Sequence, residues 1–427
     1  MGISCRRRCL GCGEGGRGPD ARTVRKPCRS QPEGRRRAAA EAGSQLLRGQ
    51  PALTPPVSRD IEQRAAAAAA RCEVTRLADV TGLDRVGVPV WQAVRPLSRA
   101  LSVHQGKGLD ARSARIGACM EAVESATAEA WLGVGPDCSW RALPLDRRSP
   151  AIDDFARARG LLDPDRILRW VEMNPIGESL PFFVPEMIVS MDFTRADDRE
   201  FGRCSTGLAA HFSRDAAIRH ALHEVIERDA RGAWQRSGRA GSAGSRIAID
   251  TIPHGWFREL VGRLRDLDIL VRVSRVPAIV ALPVFVVELL DGAEPEGDHA
   301  AAAGAGAHEQ AEAALRAALL EALQSRLTMI AGTRDDLPMR TADQHRRPLG
   351  LGFPTPGFIT EQTFPTDDYA PLDDARAIDD LARALAAAGY PRIGWLRLSD
   401  RDADAIVVKV VVPGLGDLWR ERRRAPA

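Results

Sequence analysis

Glu224 and Glu227 stand three residues apart in the stretch Asp215–Ala230, DAAIRHALHEVIERDA. On a helix that spacing puts the two carboxylates side by side on one face. Leu222, Val225, Ile226 and Ala230 recur at helical spacing and form an apolar stripe. Neighbouring like charges repel unless something positive lies between them, and a surface helix more often pairs Glu with Lys at i+4. The simplest remedy is a hard divalent cation, which takes oxygen ligands. The small-residue turn Ser205–His211, STGLAAH, leads into this helix, with Ser213 or Asp215 as its N-cap.

The same pattern occurs three times: Ala118–Glu124 (ACMEAVE), Ala221–Glu227 (ALHEVIE) and Ala318–Gln324 (ALLEALQ). In each, a small residue precedes the first Glu by three positions. A single ExxE helix is most often a solvated face. Three copies embedded in Ala/Leu/Ile-rich helices argue for convergence on one buried polar site. That site would gather Glu121, Glu124, Glu224, Glu227 and Glu321, with the amide of Gln324, around metal ions. Gly106-Lys107-Gly108 precedes the first of these helices. Gly permits close backbone approach and Lys adds charge, so the segment suits a phosphate. It is not a Walker A loop, because Leu101 occupies the position of its first Gly. Taken alone, GKG is more often an ordinary turn.

With 427 residues the chain can hold one large domain or two modest ones. No apolar run approaches the ~20 residues of a membrane span, and the Arg/Gly-rich start lacks the apolar segment of a secretory signal; the cytosol is the default. Residues 1–50 carry twelve Lys/Arg against Glu14, Asp20, Glu33 and Glu41, about +8, whereas the whole chain is +3. The remainder is therefore mildly acidic. Residues 1–70 read as a disordered basic arm or an upstream mis-assigned start, and nucleic-acid binding by the arm is the weaker reading. Cys5, Cys9 and Cys12 have the C-x3-C-x2-C spacing of a radical SAM cluster, but no strand precedes them and no barrel follows, so the spacing reads as fortuitous. The remaining cysteines form no CxxC pair, which supports neither a zinc ribbon nor a disulfide framework. Cys119 and Cys204 read as small buried hydrophobes. HEVIE lacks the second His of an HExxH zinc site, so His223 reads as a packing or supporting residue.

Ordered structure is expected from about Cys72. Val86–Val94, Leu101–His104, Leu267–Val276, Val280–Leu289, Trp395–Leu398 and Ala405–Val412 read as strands, and Phe182–Phe193 as a strand pair. Pro164–Val171 reads as a short helix, Gly292–Gly306 as a Gly/Ala loop, Glu309–Met329 and Asp374–Ala388 as helices, and Leu337–Asp374 as a mobile cover. Arg334, just past the third acidic helix, reads as a phosphate contact or as a bridge to Asp335 or Asp336. Helices and strands interleave without βαβ regularity, which indicates an α+β fold with mixed sheets.

GKG at Gly106–Gly108, MEAVE, the GLAA turn with HEVIERDA, and ALLEALQSRLTMIAGTRDD at Ala318–Asp336 together resemble the YcaO family. With TRLADVTGLDRVGVPVWQAVRP at Thr75–Pro96, the TfuA-associated branch is the most similar. The resemblance covers roughly Cys72–Leu418. It implies one YcaO-type ATP-binding catalytic domain over residues 71–418, followed by a basic tail at 419–427. It further implies that ATP and Mg are held by Glu121, Glu124, Glu224, Glu227, Glu321 and Gln324, with Lys107 near the phosphates. Lys107, Glu121 and Glu224 would carry the catalysis.

YcaO proteins activate a peptide backbone amide with ATP, and this family chemistry makes physical sense. Phosphorylating the amide oxygen makes phosphate the leaving group once a nucleophile has added, so catalysis reduces to positioning and charge neutralisation. An internal Cys, Ser or Thr nucleophile gives an azoline, and external sulfide gives a thioamide. The TfuA-branch resemblance implies thioamide formation on a ribosomal peptide or protein, with a TfuA-like partner, a sulfide source and a possible homodimer. Azoline-forming relatives often end in a Pro-rich tail, whereas this chain ends RRRAPA. Gly117 stands where the family usually has Ser, Thr206 where it has Asn, His211-Phe212 where it has Gly-Asn, and Ala216 where an acidic residue is common. These departures mark either a subgroup with a rearranged metal shell or a non-catalytic accessory protein.

Overall fold

The computed structural model describes residues 59–155, 162–195, 201, 203–236, 246–293, 300–333, 361–366 and 372–416. Arg334 and residues 1–58 lie outside them, as does most of the expected cover at 337–374. The fold is α+β, and among the described residues the sheet strands all pair antiparallel, with one isolated parallel bridge between Ile247 and Gln362.

Order begins earlier than Cys72, with helix α1 (Arg59–Arg71). Its alanine run has a physical role: Ala65, Ala68 and Ala69 are buried against Cys119 and Val123. Strands β1 (Arg76–Asp79), β2 (Val90–Val94) and β3 (Val103–Lys107) form a three-stranded sheet in that order. Helix α2 (Ala111–Ala130) follows. Asp110 is its N-cap, accepting the Ser113 N–H at 2.9 Å. Glu62 of α1 pairs with Arg112 and Arg115 of α2 at 3.1 and 2.9 Å, fixing the two helices together.

Strands β4 (Asp137–Ser139), β5 (Ile167–Pro175) and β6 (Phe182–Pro185) come next. β5 overturns the helix expected at 164–171. It pairs with β4 and β6, and Leu168, Trp170, Val171 and Met173 are buried while Arg169 and Glu172 are exposed, so the stretch is an extended strand covered on both sides of its centre. The Pro, Asp and Arg around it belong to turns and to exposed positions. The expected strand pair at 182–193 is likewise corrected. Only β6 is a strand, its partner is β5, and Glu186–Ile188 is a 3-10 turn. Strand β7 (Leu208–His211) leads into α3 (Arg214–Arg236), placing Ser213 just before the helix.

Helix α4 (Gly255–Asp266) precedes β8 (Ile269–Arg275), β9 (Val284–Asp291) and β10 (Ala301–Ala307), a second three-stranded sheet. β10 lies where a Gly/Ala loop is expected. Low strand propensity is overridden here by packing, because only small residues fit beneath the following helix α5 (Ala311–Ala331). A Cβ on Gly304 would lie 2.2 Å from the Ala322 nitrogen, and one on Gly306 would lie 2.3 Å from the Ala314 oxygen. Helix α6 (Asp374–Ala387) precedes β11 (Gly394–Arg397) and β12 (Ile406–Val411), the expected hairpin. The large sheet runs β4-β5-β11-β12-β7, with β6 beside β5.

Three strand–helix units thus come from three different sheets: β3–α2, β7–α3 and β10–α5. The first and third are built alike. Gly106 abuts Ala114 and Ala118, and Gly306 abuts Ala314 and Ala318, at the same spacings. Each contact seats its helix close on its strand and fixes the turn that carries Glu121 or Glu321. No helix among the described residues is long and apolar enough to cross a membrane.

Gly106→Ala is expected to be severe, because its Cβ would lie 2.0 Å from the Ala114 oxygen and 2.1 Å from the Ala118 nitrogen, both backbone atoms. A cost of roughly 3 kcal/mol or more follows from overpacking of this kind. Gly82→Ala, with nothing within 4 Å of the added carbon, serves as the control. Thermal melting of both variants checks this, and an unchanged Tm for Gly106→Ala would contradict it.

Candidate functional site

The stripe of α3 expected from sequence is the buried one: Leu222, Val225, Ile226 and Ala230 are nearly or fully inaccessible, as is Ala221 beside them. The opposite side of that helix turns Glu224 and Glu227 toward a cleft. Gly207, with φ +76, shapes the preceding turn so that its N–H donates to Glu224 Oε2 at 3.0 Å. Any side chain there would also meet the Val410 carbonyl at 2.3 Å. The STGLAA turn and the acidic helix are therefore one construction.

The structure brings the predicted residues into one electrostatic group. Burial raises the pKa of Glu121; Lys107 draws it back, and Glu224 and Glu321 add to the rise. Glu121 is solvent-accessible at the cleft, yet the protein around it displaces enough water for this effect. Burial, then repulsion from Glu121 and Glu224, holds the Glu124 carboxyl well above its ordinary range, against the Ala210 N–H and Lys409. Glu224 is also raised by burial, with Arg228 and Lys409 opposing. Burial and the Glu321 carboxylate push Glu227 up to about 8. Such carboxyls are short of positive charge.

The cations that do stand among them come from several elements. Arg228 reaches Glu224 at 3.3 Å and Arg231 reaches Glu321 at 3.4 Å. Lys107 donates to Gln324 Oε1 at 2.9 Å. Lys409 of β12, 2% exposed, donates to the Cys204 carbonyl at 2.7 Å and faces Glu124 and Glu224. Lys409, Arg228 and Arg231 escape sequence reasoning. Lys409 sits in an apolar strand, where only its alternation with Val408 and Val410 against the opposite face would have drawn notice.

The donor set is all oxygen apart from these bases, which fits Mg2+ rather than zinc. Among the described residues no three acidic, imidazole or thiol groups already close around one point. An entering ion therefore competes with Arg228 for Glu224 and with Arg231 for Glu321. Glu121, Glu124, Glu224, Glu227 and Glu321 are the residues that would hold it, and Lys107 lies beside them for an anionic ligand.

One end of the cleft is lined by imidazoles. His220 lies one turn before Glu224 on α3, and burial together with His223, Lys107, His211 and His308 lowers its pKa to about 4. His308 is likewise lowered to about 4, by burial and then by His223. His223 bonds Glu309 Oε1 at 2.8 Å, which fits the supporting role expected from sequence. Arg219 binds the same carboxylate at 2.9 Å and Asp374 at 2.9 Å, joining the starts of α5 and α6 to α3. Against the upward push of burial, these hydrogen bonds hold Glu309 well below the usual carboxylate range.

The raised carboxyls make the metal-free site sensitive to pH. Glu227 titrates near 8 in the fold and near 4.5 when unfolded, so the folded chain binds an extra proton between those values. Its stabilising effect is complete below about 4.5 and is lost as pH rises through about 8. An Mg2+ ion held by Glu227 would have to displace that proton. Between about pH 6.5 and 8 the apparent Mg2+ affinity should rise by up to about tenfold per pH unit, levelling near 8. Thermal melts with and without Mg2+ across this range measure it, and Glu227→Gln should flatten the slope.

A protein-family model described as "YcaO cyclodehydratase, ATP-ad Mg2+-binding" matches residues 105–416. A relative in Rhizobium leguminosarum bv. trifolii, named "Uncharacterized protein in tfuA 3'region", is 28% identical over 352 residues, spanning 80% of this chain and 83% of its own. The YcaO structure from Methanopyrus kandleri bound with AMPPCP and Mg2+ superposes with a TM-score of 0.66 at 23% identity, covering 84% of this chain and 90% of that one. A heterocyclase in complex with substrate and cofactor gives 0.62 at 17% identity, covering 83% of this chain and 52% of that one. The fold, the acidic cleft and the family match over most of the chain agree: this protein belongs to the YcaO family, whose cofactors are ATP and Mg2+.

Proposed function

We propose that the chain is an ATP- and Mg2+-dependent enzyme that phosphorylates a peptide backbone amide, and that it does so to install sulfur as a thioamide with a TfuA-like partner. The observation that carries the ATP-dependent chemistry is the meeting of three strand–helix units on one carboxylate cleft beside Lys107. The relative named for the tfuA 3' region supports the thioamide branch. ATP supplies the phosphoryl group and Mg2+ the charge neutralisation when bound. The chain would contribute the orientation: Glu121, Glu124, Glu224, Glu227 and Glu321 would hold the ions, and Lys107 would supply positive charge for the phosphates. A second reading, azoline formation by an internal nucleophile, is favoured by the cyclodehydratase description of the family.

The two are separated by product mass. Wild type with ATP, Mg2+, a TfuA-like protein and a sulfide source should replace one amide oxygen by sulfur, a gain of about 16 Da, where ring closure would lose about 18 Da as water. Titration of ATP should need Mg2+ and should fail in Glu224→Ala, with turnover down by about a hundredfold or more. A well-folded wild type that binds no ATP with Mg2+ would overturn the proposal.

A further inference from the structure

Gln324 is the one amide in a pattern that otherwise places Glu at both positions. Its surroundings account for the exception. Lys107 Nζ, which has only protons to give, meets Gln324 Oε1 at 2.9 Å. On the other side Gln324 Nε2 donates to the Gln105 carbonyl at 3.0 Å, an oxygen that can only accept. These partners fix which end of the amide is oxygen and which is nitrogen. A carboxylate in this place could accept from Lys107 but would confront the Gln105 carbonyl with a second acceptor. Only an amide satisfies both.

Gln105 and Lys107 lie on one face of β3, while Gly106 between them faces α2. Gln324 therefore grips the strand at the two positions that turn toward α5. One turn on, the Thr328 hydroxyl donates to the Gln324 carbonyl at 2.7 Å and meets the side-chain amide of Gln105. Farther along, Gln92 Nε2 donates to Thr333 at 2.8 Å. Arg326, 2% exposed, pairs with Asp84 at 3.0 Å and Asp291 at 2.8 Å. This polar seam ties α5 to the first sheet and, through Asp291, to β9, and it holds the Gln324 side chain by both ends of its amide.

We propose that Gln324 is a positioning residue that orients Lys107 toward the cleft, rather than a ligand of the metal. The inference rests on the nucleotide reading given above. An amide oxygen leaves the lysine its full charge, so Lys107 remains available to phosphate; a carboxylate there would neutralise it. A metal-ligand role makes the opposite forecast, because a carboxylate binds Mg2+ better than an amide.

The test is a double-mutant cycle read by MgATP titration. Gln324→Glu should weaken MgATP binding about tenfold or more, the range expected for losing a charge-assisted contact. On a Lys107→Met background the same substitution should change affinity by less than about twofold, since the group it acts through is gone. Gln324→Met, similar in shape and unable to bond either partner, serves the cycle if the carboxylate variant does not fold. MgATP binding by Gln324→Glu as tight as wild type, or tighter, would overturn the inference and leave the nucleotide reading standing. Equal losses on both backgrounds would overturn it too, by reducing Gln324 to a general structural role. A wild type that binds no MgATP would remove the nucleotide reading and the inference with it.

Discussion

Mutual repulsion among carboxylates is the constraint the rest of the molecule answers. Glu121, Glu124, Glu224, Glu227 and Glu321 would force one another apart on a free surface. Here they are fixed by three helices whose other faces are committed to three cores. The fold relieves the repulsion in two ways. Arg228, Arg231, Lys107 and Lys409 provide resident positive charge, and several carboxyls retain protons above their ordinary range. Neither remedy is complete, since buried carboxyls with imperfect partners are costly. Such a site gains most from a divalent cation, and that is the chemistry of the family.

Holding three helices at one cleft requires each to sit close to its strand. Gly106 against Ala114 and Ala118, and Gly306 against Ala314 and Ala318, achieve this with no side chain between backbones. The same stretch length then carries each helix to its first Glu, so the matching spacing of the two acidic motifs reflects matching backbone contacts. The middle helix uses a different device. Its Glu224 is tied to the turn before it through the Gly207 N–H, and α3 is braced at its start by Arg219 and His223 on Glu309.

The sequence was most informative where a period and its punctuation agree. α2, α5 and the β8–β9 pair were legible because their apolar spacing is regular, whereas the start of α2 at its Asp110 cap was not. The acidic residues were legible because their repeats share one pattern. β10 was hidden because alanine and glycine have poor strand propensity, and its reason for being small lies in α5, a contact no local pattern reveals. α1 was hidden because an alanine run beside a basic segment looks solvated, whereas its burial comes from Cys119 and Val123 far along the chain. Lys409 was hidden for the same reason: a lone Lys in an apolar strand declares itself only when Glu124 and Glu224 arrive from other elements.

The departures from the family pattern take on a different meaning once their neighbours are known. A Cβ on Gly117 would stand 3.2 Å from the Gly106 Cα, so glycine there lets α2 close on β3 without either backbone giving way. Phe212 lies under the Arg64 guanidinium of α1, 4.4 Å from the ring centroid, a cation–π contact that ties α1 to the turn between β7 and α3. Glu62 on the same helix holds Arg112 and Arg115 in the first turns of α2, just after β3. Helix α1 therefore spans two of the strand–helix turns that border the cleft, and Phe212 gives it a seat that an Asn would not. Nothing in the structure explains Ala216. Two of these changes thus have packing reasons independent of catalysis, and a substitution with a packing reason is not by itself evidence that the site has been abandoned. The carboxylates, Lys107 and the amide that bonds it are all in place, which is why the enzymatic reading stands ahead of the accessory one.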